Sequence, residues 1–449
     1  MVRALLPLGA ALLGAAAVLA ADIPTCSLTK KCPKEAPCCS LRRRRLLLGG
    51  CDPRMSFSLD SCVPAPVCKD KVYKMDSLDR YQDIGEYLGD PSKADWVGQG
   101  EPLLYDGHVL LTMPPKSVGT VLATTTYMWY GSVKAKMKTS RGRGVVTAFI
   151  LFSDVKDEID YEFVGVDLHT AQTNYYFQGI PNYDNSGNIT ISSDSYNDFH
   201  EYEIQWTPDE IKWLVDGKVG RTKKRSETWN ATSNQWAFPQ TPSRVQLSIW
   251  PGGLESNAQG TIDWAGGKID WNDDEIKNYG YFFATFGEIT VECYKTDKAP
   301  GTNKGVSYYY NDIAATNNTV VDSDKPTVLK SFLATGTDMD KGDGTTSGGA
   351  TASSSVNAIP GGGSTPPNQV PGGSNPNSGS SSSGNGGSGD SGSSAGTAAP
   401  CAATGFSQSC GTNGAAGGTK GNNGARGVER TLGASAFAVI VGIAGLLLI

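Results

Sequence analysis

Histidine is scarce in this chain: His108, His169 and His200 are the only three in 449 residues, and no two are spaced as a metal-binding pair. That scarcity leaves no histidine-based metal centre, and no Ser/His nucleophile system or nucleotide-binding motif is evident. Positive charge is also sparse. The net charge is −6, and the longest basic run is Arg42 to Arg45, so no basic patch of nucleic-acid type is evident outside it. A reading of those four arginines as a polyanion patch is open but isolated. No long amphipathic helix is evident, and only Asp273 to Asn278 has a brief helical pattern. The long apolar runs are confined to the two ends.

The first 20 residues hold Arg3, an Ala/Leu-rich core and Val18-Leu19-Ala20-Ala21, the order of a secretory signal cut after Ala20 or Ala21. At the other end, small residues Asn422 to Ala425 precede a polar spacer, Arg426 to Thr431, and an apolar tail, Leu432 to Ile449. This order matches a GPI-attachment signal with Asn423 as the attachment residue, the membrane being reached through the lipid only. An ordinary membrane helix is the alternative, but no basic stop follows the tail. Ten cysteines fit a secreted, disulfide-bonded chain. Sequons at Asn188, Asn230 and Asn317 predict glycosylated surface loops.

Composition divides the remainder. Residues 22–68 hold seven cysteines, Cys26, Cys32, Cys38, Cys39, Cys51, Cys62 and Cys68. Residues 69–297 are aromatic-rich and alternate as strands. Residues 298–335 form a polar extension of little periodicity. Residues 336–423 are a Gly/Ser/Thr/Pro stalk with too few apolar residues for a core, and 424–449 would be removed with the GPI signal. The central zone contains alternating runs at 109–113, 130–138, 145–152, 173–178, 200–207, 211–215, 245–250 and 289–293. Asp216-Gly217 marks a hairpin turn. Many short strands in about 230 residues predict an all-β fold, a sandwich or jelly roll with a concave substrate cleft.

The most informative run is Asp157-Glu158-Ile159-Asp160-Tyr161-Glu162-Phe163-Val164. Its period of two predicts a strand with Glu158, Asp160 and Glu162 on one face and Ile159, Tyr161 and Phe163 on the other. A solvated outer face would also alternate, but such faces usually mix in Lys, Thr and Ser. Three like charges side by side oppose folding. They suit glycoside cleavage, which needs one ionised carboxylate and one protonated carboxyl. Sugar rings stack on aromatic faces, so Trp250 is a candidate platform, with Gln246 on the same strand face as a hydrogen-bonder. Trp206, Trp264 and Tyr175 are further candidates, each equally compatible with core packing. Trp213 and Trp271 are read as core, and His200 as structural or at a cleft edge.

With its neighbours, this run resembles glycoside hydrolase family 16, and most closely the fungal Crh branch of cell-wall transglycosylases. The resemblance spans about residues 70–295. It is carried by the carboxylate run, Gln172-Thr173-Asn174-Tyr175-Tyr176, the stretch Phe199 to Pro208, Trp213-Leu214-Val215-Asp216-Gly217, Leu247 to Gly253, and Gly260 to Gly267. It implies Glu158 as nucleophile, Glu162 as general acid/base and substrate contact, and Asp160 as the assisting carboxylate. Thr261, in the last motif, joins the substrate-binding candidates. No cofactor is implied. The implied partners are chitin as donor and β-glucan as acceptor, with no nucleic acid, and no oligomeric state is indicated. A β-1,3-glucanase of the same family and a non-catalytic wall lectin are the alternatives. Glucanases of the family often carry an extra residue between the second and third carboxylates, whereas Asp160 and Glu162 are two apart. The N-terminal zone resembles the opening of a hevein-type chitin-binding module at Cys26, Cys32 and Cys38-Cys39. It departs after Ser40, where Leu41 to Leu48 holds neither cysteine nor aromatic.

Overall fold

A computed structural model describes residues 26–34, 36–38 and 51–342. The signal segment, the Leu41–Leu48 tract, the stalk beyond residue 342, Cys39, Cys401, Cys410 and Asn423 lie outside the described residues; the stalk's opening, 336–342, is described and bonded to the fold, with Gly336 N donating to Ser61 O at 3.2 Å. Among the described residues, no helix is long and apolar enough to cross a membrane.

The chain folds as a jelly-roll-like sandwich of two large sheets. The first runs, edge to edge, Gly187–Thr190, Thr170–Tyr176, Glu158–Val164, Val145–Ser153, Ser243–Pro251, Thr120–Thr124, Trp96–Gln99 and Tyr81–Asp83. The second runs Lys218–Lys224, Glu210–Val215, His200–Trp206, Gly131–Lys138, Phe282–Cys293, His108–Met113 and Glu101–Tyr105, with Lys71–Lys74 also paired to Phe282–Cys293. Only the Tyr81–Asp83 and Trp96–Gln99 pair is parallel in these sheets. The predicted strands are present, most with ends moved by a few residues. The Asp216-Gly217 turn has both residues at positive φ, 50° and 74°, as a tight hairpin requires.

Alternation determines which face of the first sheet enters the core. Ile159, Tyr161 and Phe163 pack between the sheets with Phe149, Leu151 and Leu247, against Tyr202, Ile204 and Trp213 from the second sheet. Each such side chain contributes about 2 kcal/mol of transfer free energy on burial. Val145–Ser153 is apolar at almost every position because both its faces are covered: Phe149 and Leu151 point inwards, while Val146, Ala148 and Ile150 join an outer cluster with Trp250 and Trp264.

The polar extension is more ordered than its composition implies. Ser307–Tyr310 pairs with Val320–Ser323 and with Ala65–Pro66, giving a three-stranded sheet that spans the N-terminal zone and the extension. Its few apolar residues suffice because Tyr308 and Val320 are buried against the main core. Cys68–Cys293 closes a loop of 225 residues and ties the start of the sandwich to the end of its longest strand. Cys51–Cys62 lies in the N-terminal zone. The predicted short helix is Asp274–Tyr279, with Asp273 capping the Glu275 amide and Gly280 closing it at positive φ. Asn188 and Asn230 are exposed, as the sequons predict. Asn317 departs from that expectation: it is half-buried and its amide donates to Tyr130 OH at 3.3 Å.

Candidate active site

The site is built on Glu158–Val164, an inner strand of the first sheet. Its pairing with Val145–Ser153 is unbroken from Glu158 to Val164, and its pairing with Thr170–Tyr176 is unbroken from Glu158 to Glu162. The regular pleat therefore keeps all three carboxylates on the outer face. The opposite face is fixed to the second sheet by more than apolar packing. Tyr161 OH donates to Leu214 O at 2.8 Å, and Trp213 Nε1 donates to Asp160 O at 3.0 Å.

Asp157 secures the strand's entry. Its buried carboxylate accepts from the amides of Gln178, Gln240 and Thr241 at 2.8, 2.9 and 3.1 Å, and from Thr241 Oγ1 at 2.7 Å. Burial still raises its pKa to about 6 against those bonds. The sequence singled out neither Asp157 nor Trp213 for this positioning. An Asp that breaks the apolar-acidic alternation at a strand start was the available signal for the former.

Register places the remaining outer-face side chains. Glu158, Asp160 and Glu162 stand opposite Tyr176, Asn174 and Gln172 on one side. On the other side they stand opposite Phe152, Ile150 and Ala148. The next strand places Arg244, Gln246, Ser248 and Trp250 in the rows of Phe152, Ile150, Ala148 and Val146. Gln246 thus shares a row with Asp160, two strand spacings or about 10 Å away.

Trp264 is brought to this face by a short helix, Gln259–Trp264. Its ring stacks on Trp250 with centroids 6.0 Å apart, and its Nε1 donates to Gln172 Oε1 at 2.7 Å. The Trp250-Pro251-Gly252-Gly253 turn makes that approach possible. A Cβ on Gly252 would stand 2.9 Å from Ala265 Cβ, and one on Gly253 would stand 2.4 Å from Gly267 O.

The three carboxyl groups are almost fully buried, and no protein donor reaches the oxygens of Glu158 or Asp160 among the described residues. Glu158 and Asp160 lie within hydrogen-bonding reach of each other. Burial raises the pKa of Glu158 far above the usual range, with the Asp160 and Glu162 charges adding to the rise. Asp160 is raised to about 7 by burial, opposed by its bond to Glu158 and by the Arg221 charge. Burial and then the Asp160 charge hold Glu162 high. Gln246 Nε2 and Oε1 and Trp250 Nε1, on the same face, are also buried without partners. A face that gathers several unpaired polar atoms is costly for a fold.

Most of the predicted site residues converge here: Glu158, Asp160, Glu162, Gln246, Trp250 and Trp264 share one face or border it. Thr261 is buried in the Trp264 helix. Two candidates are corrected. Trp206 lies in the core between the sheets, with Nε1 donating to Pro239 O at 3.1 Å and its ring 4.6 Å from Tyr130. Tyr175 pairs with Ile159 and points to the same core face, so Asn174 and Tyr176 are the members of that motif facing the carboxylates. His200 is structural: Nδ1 is 2.8 Å from Asp216 Oδ2 and Nε2 is 3.1 Å from Ser193 Oγ. The Sγ atoms of Cys38, Cys51 and Cys62 cluster within 4.8 Å, but Cys51 and Cys62 are joined as a disulfide and leave only the Cys38 thiol as a metal ligand.

Comparison with known proteins agrees with this architecture. Residues 90–266 match the model of glycosyl hydrolases family 16. The chain is 64% identical over 322 residues to Crh-like protein 3 of Botryotinia fuckeliana, covering 71% of this chain and 72% of the relative. It is 53% identical over 337 residues to Crh-like protein 2 of Aspergillus fumigatus, covering 74% and 76%. Among solved structures, a Crh5 transglycosylase in complex with NAG superposes with a TM-score of 0.48 at 26% identity, over 58% of this chain and 95% of that one. The chain belongs to the Crh-like proteins, a group of glycosidases and transglycosylases that share the family 16 glycosyl hydrolase domain.

Proposed function

We propose that this protein is a retaining transglycosylase that cleaves chitin and passes the fragment to β-glucan, cross-linking the fungal cell wall. The observation that carries the reading is the row Glu158, Asp160 and Glu162, buried on one strand face without donors. In the proposed cycle, Glu162 donates its proton to the glycosidic oxygen as the bond to the anomeric carbon breaks. Glu158 Oε attacks that carbon, forming a glycosyl ester. Glu162, now a carboxylate, takes a proton from the acceptor hydroxyl, whose oxygen displaces Glu158 and restores both groups.

The raised pKa of Glu162 suits the acid role. Glu158 must be ionised to attack, and Asp160, whose pKa burial raises to about 7, can be protonated beside it at that moment. Asp160 is thus a positioning group for Glu158. Water in place of the acceptor gives hydrolysis by the same chemistry. Secretion, a GPI lipid at Asn423 and residence at the membrane or wall complete the reading. A β-1,3-glucanase is the second reading. The unbroken register through Asp160 and Glu162 favours the first, since no extra residue interrupts that strand.

The test is incubation with chitin oligomers and a fluorescent glucan oligomer, followed by product masses. Hybrid chains carrying both sugars support the proposal. Cleavage of the glucan alone would replace it with the glucanase reading.

A further inference from the structure

Arg244 is a buried cation with unusually few partners. It is 3% exposed, and its Nε is buried without an acceptor. No hydrogen bond or ion pair links its guanidinium to a described residue; its recorded contact is the Tyr127 ring, 5.4 Å from Cζ. Of its donors, Nε is the one buried without an acceptor, and burying a donor unpaired is costly. Its position explains why the fold tolerates it. Arg244 shares a cross-strand row with Glu158, with Phe152 between them, so it stands on the carboxylate face about 10 Å from the nucleophile position. Gln246, two residues on, presents one unpaired donor and one unpaired acceptor on the same face.

The chemistry of that pair selects a ligand. A glucose unit presents hydroxyl groups alone, which many polar side chains satisfy. An N-acetylated sugar adds an amide, whose carbonyl accepts from a guanidinium and whose N–H needs an acceptor such as Gln246 Oε1. We propose that Arg244 is a specificity residue: it donates to the acetamido carbonyl of an N-acetylglucosamine unit bound away from the scissile bond, with Gln246 completing the amide. This rests on the transglycosylase reading and names how the donor chain would be told from a glucan.

The competing role is structural. Tyr127 OH donates to Asp154 Oδ1 at 3.0 Å, and Arg244 is the nearby charge that offsets Asp154. A purely structural arginine would affect stability and leave sugar preference unchanged.

Binding in a catalytically inert background separates the two. Glu158→Gln and Glu158→Gln/Arg244→Met are titrated by calorimetry with an N-acetylglucosamine tetramer and a β-1,3-glucose tetramer. The expected result is about tenfold weaker binding of the N-acetylated tetramer, with the glucose tetramer changed less than about twofold. Arg244→Lys, which keeps the charge near Asp154 but not the planar fork, serves where Met does not fold, and is expected to lose at least about threefold of the preference. An unchanged preference in the variant that folds, equal weakening of both sugars, or no binding of the N-acetylated tetramer by the Glu158→Gln protein overturns the assignment. Hybrid products from the parent enzyme decide the transglycosylase reading separately, so the two can fail independently.

Discussion

Trp213 reaches across the sandwich to donate its indole N–H to the carbonyl of Asp160, at 3.0 Å. The two residues belong to different sheets. One hydrogen bond therefore couples the second sheet to the middle of the carboxylate strand, and Tyr161 adds another to Leu214 O. Placement of the three carboxyl groups is a property of the whole sandwich and not of one strand.

Replacing Trp213 with Phe keeps much of the ring and removes the donor. The expected loss in stability is about 1–3 kcal/mol, as for an unsatisfied buried carbonyl with some lost packing. Turnover should fall more than substrate affinity, because the strand carries the groups proposed to react. Thermal unfolding and the separate kcat and KM values check this. A KM increase with kcat unchanged would place the effect on binding instead.

Asp160→Asn should abolish most transfer and yet stabilise the fold. The folded pKa of Asp160 is about 7, above its ordinary 3.8. A carboxyl whose folded pKa is raised binds more protons when folded, so stability falls as pH rises from about 4 to about 7. Removing the ionisable group removes that loss, worth up to ~4 kcal/mol at pH 7 and little near pH 4. Melting temperatures at both pH values test it. An equal change at the two values would mean that Asp160 does not titrate in this range.

The same substitution should alter any residual activity. In the proposed cycle Glu162 works protonated, and its pKa is raised by burial and then by Asp160. Loss of the Asp160 charge lowers that pKa, so the alkaline limb of the pH–rate profile should move to lower pH. A limb that stays in place would assign it to another group.

Removing the Cys68–Cys293 link by Ser substitution should destabilise the sandwich by roughly 3–5 kcal/mol, since the closed loop of 225 residues is long. Reductant should lower the parent's melting temperature by more than that of the double-Ser variant, which keeps Cys51–Cys62 but lacks the long-loop bridge. Parent and variant melting alike without reductant would mean that the bridge contributes little.

Much of this site was legible in the sequence because a strand's period is short and strict. Alternation alone assigned Glu158, Asp160 and Glu162 to one face and Ile159, Tyr161 and Phe163 to the other, and grouped Gln246 with Trp250. It could not choose between adjacent aromatics. Tyr175 and Tyr176 differ by one position, and only the hairpin register with Ile159 and Glu158 decides which faces the carboxylates. Trp206 failed for a related reason: its parity within its own strand was readable, but not which face of the second sheet met the core. The Gln259–Trp264 helix is too short to show a period, so the stacking of Trp264 on Trp250 arises from tertiary packing at Gly252 and Gly253. The small sheet in the polar extension depends on pairing with Ala65–Pro66, far away in the chain.

The central claim is that Glu158 forms the covalent intermediate while Glu162 handles protons. Its most direct test is mass analysis of Glu162→Gln after reaction with an N-acetylglucosamine oligomer bearing a good leaving group. Such a substrate needs little acid assistance, so the ester forms, but no base remains to activate an acceptor. The predicted result is a stable glycosyl adduct on the peptide containing Glu158, absent from Glu158→Gln/Glu162→Gln. An adduct on any other residue, or brisk transfer by Glu158→Gln alone, would contradict the account.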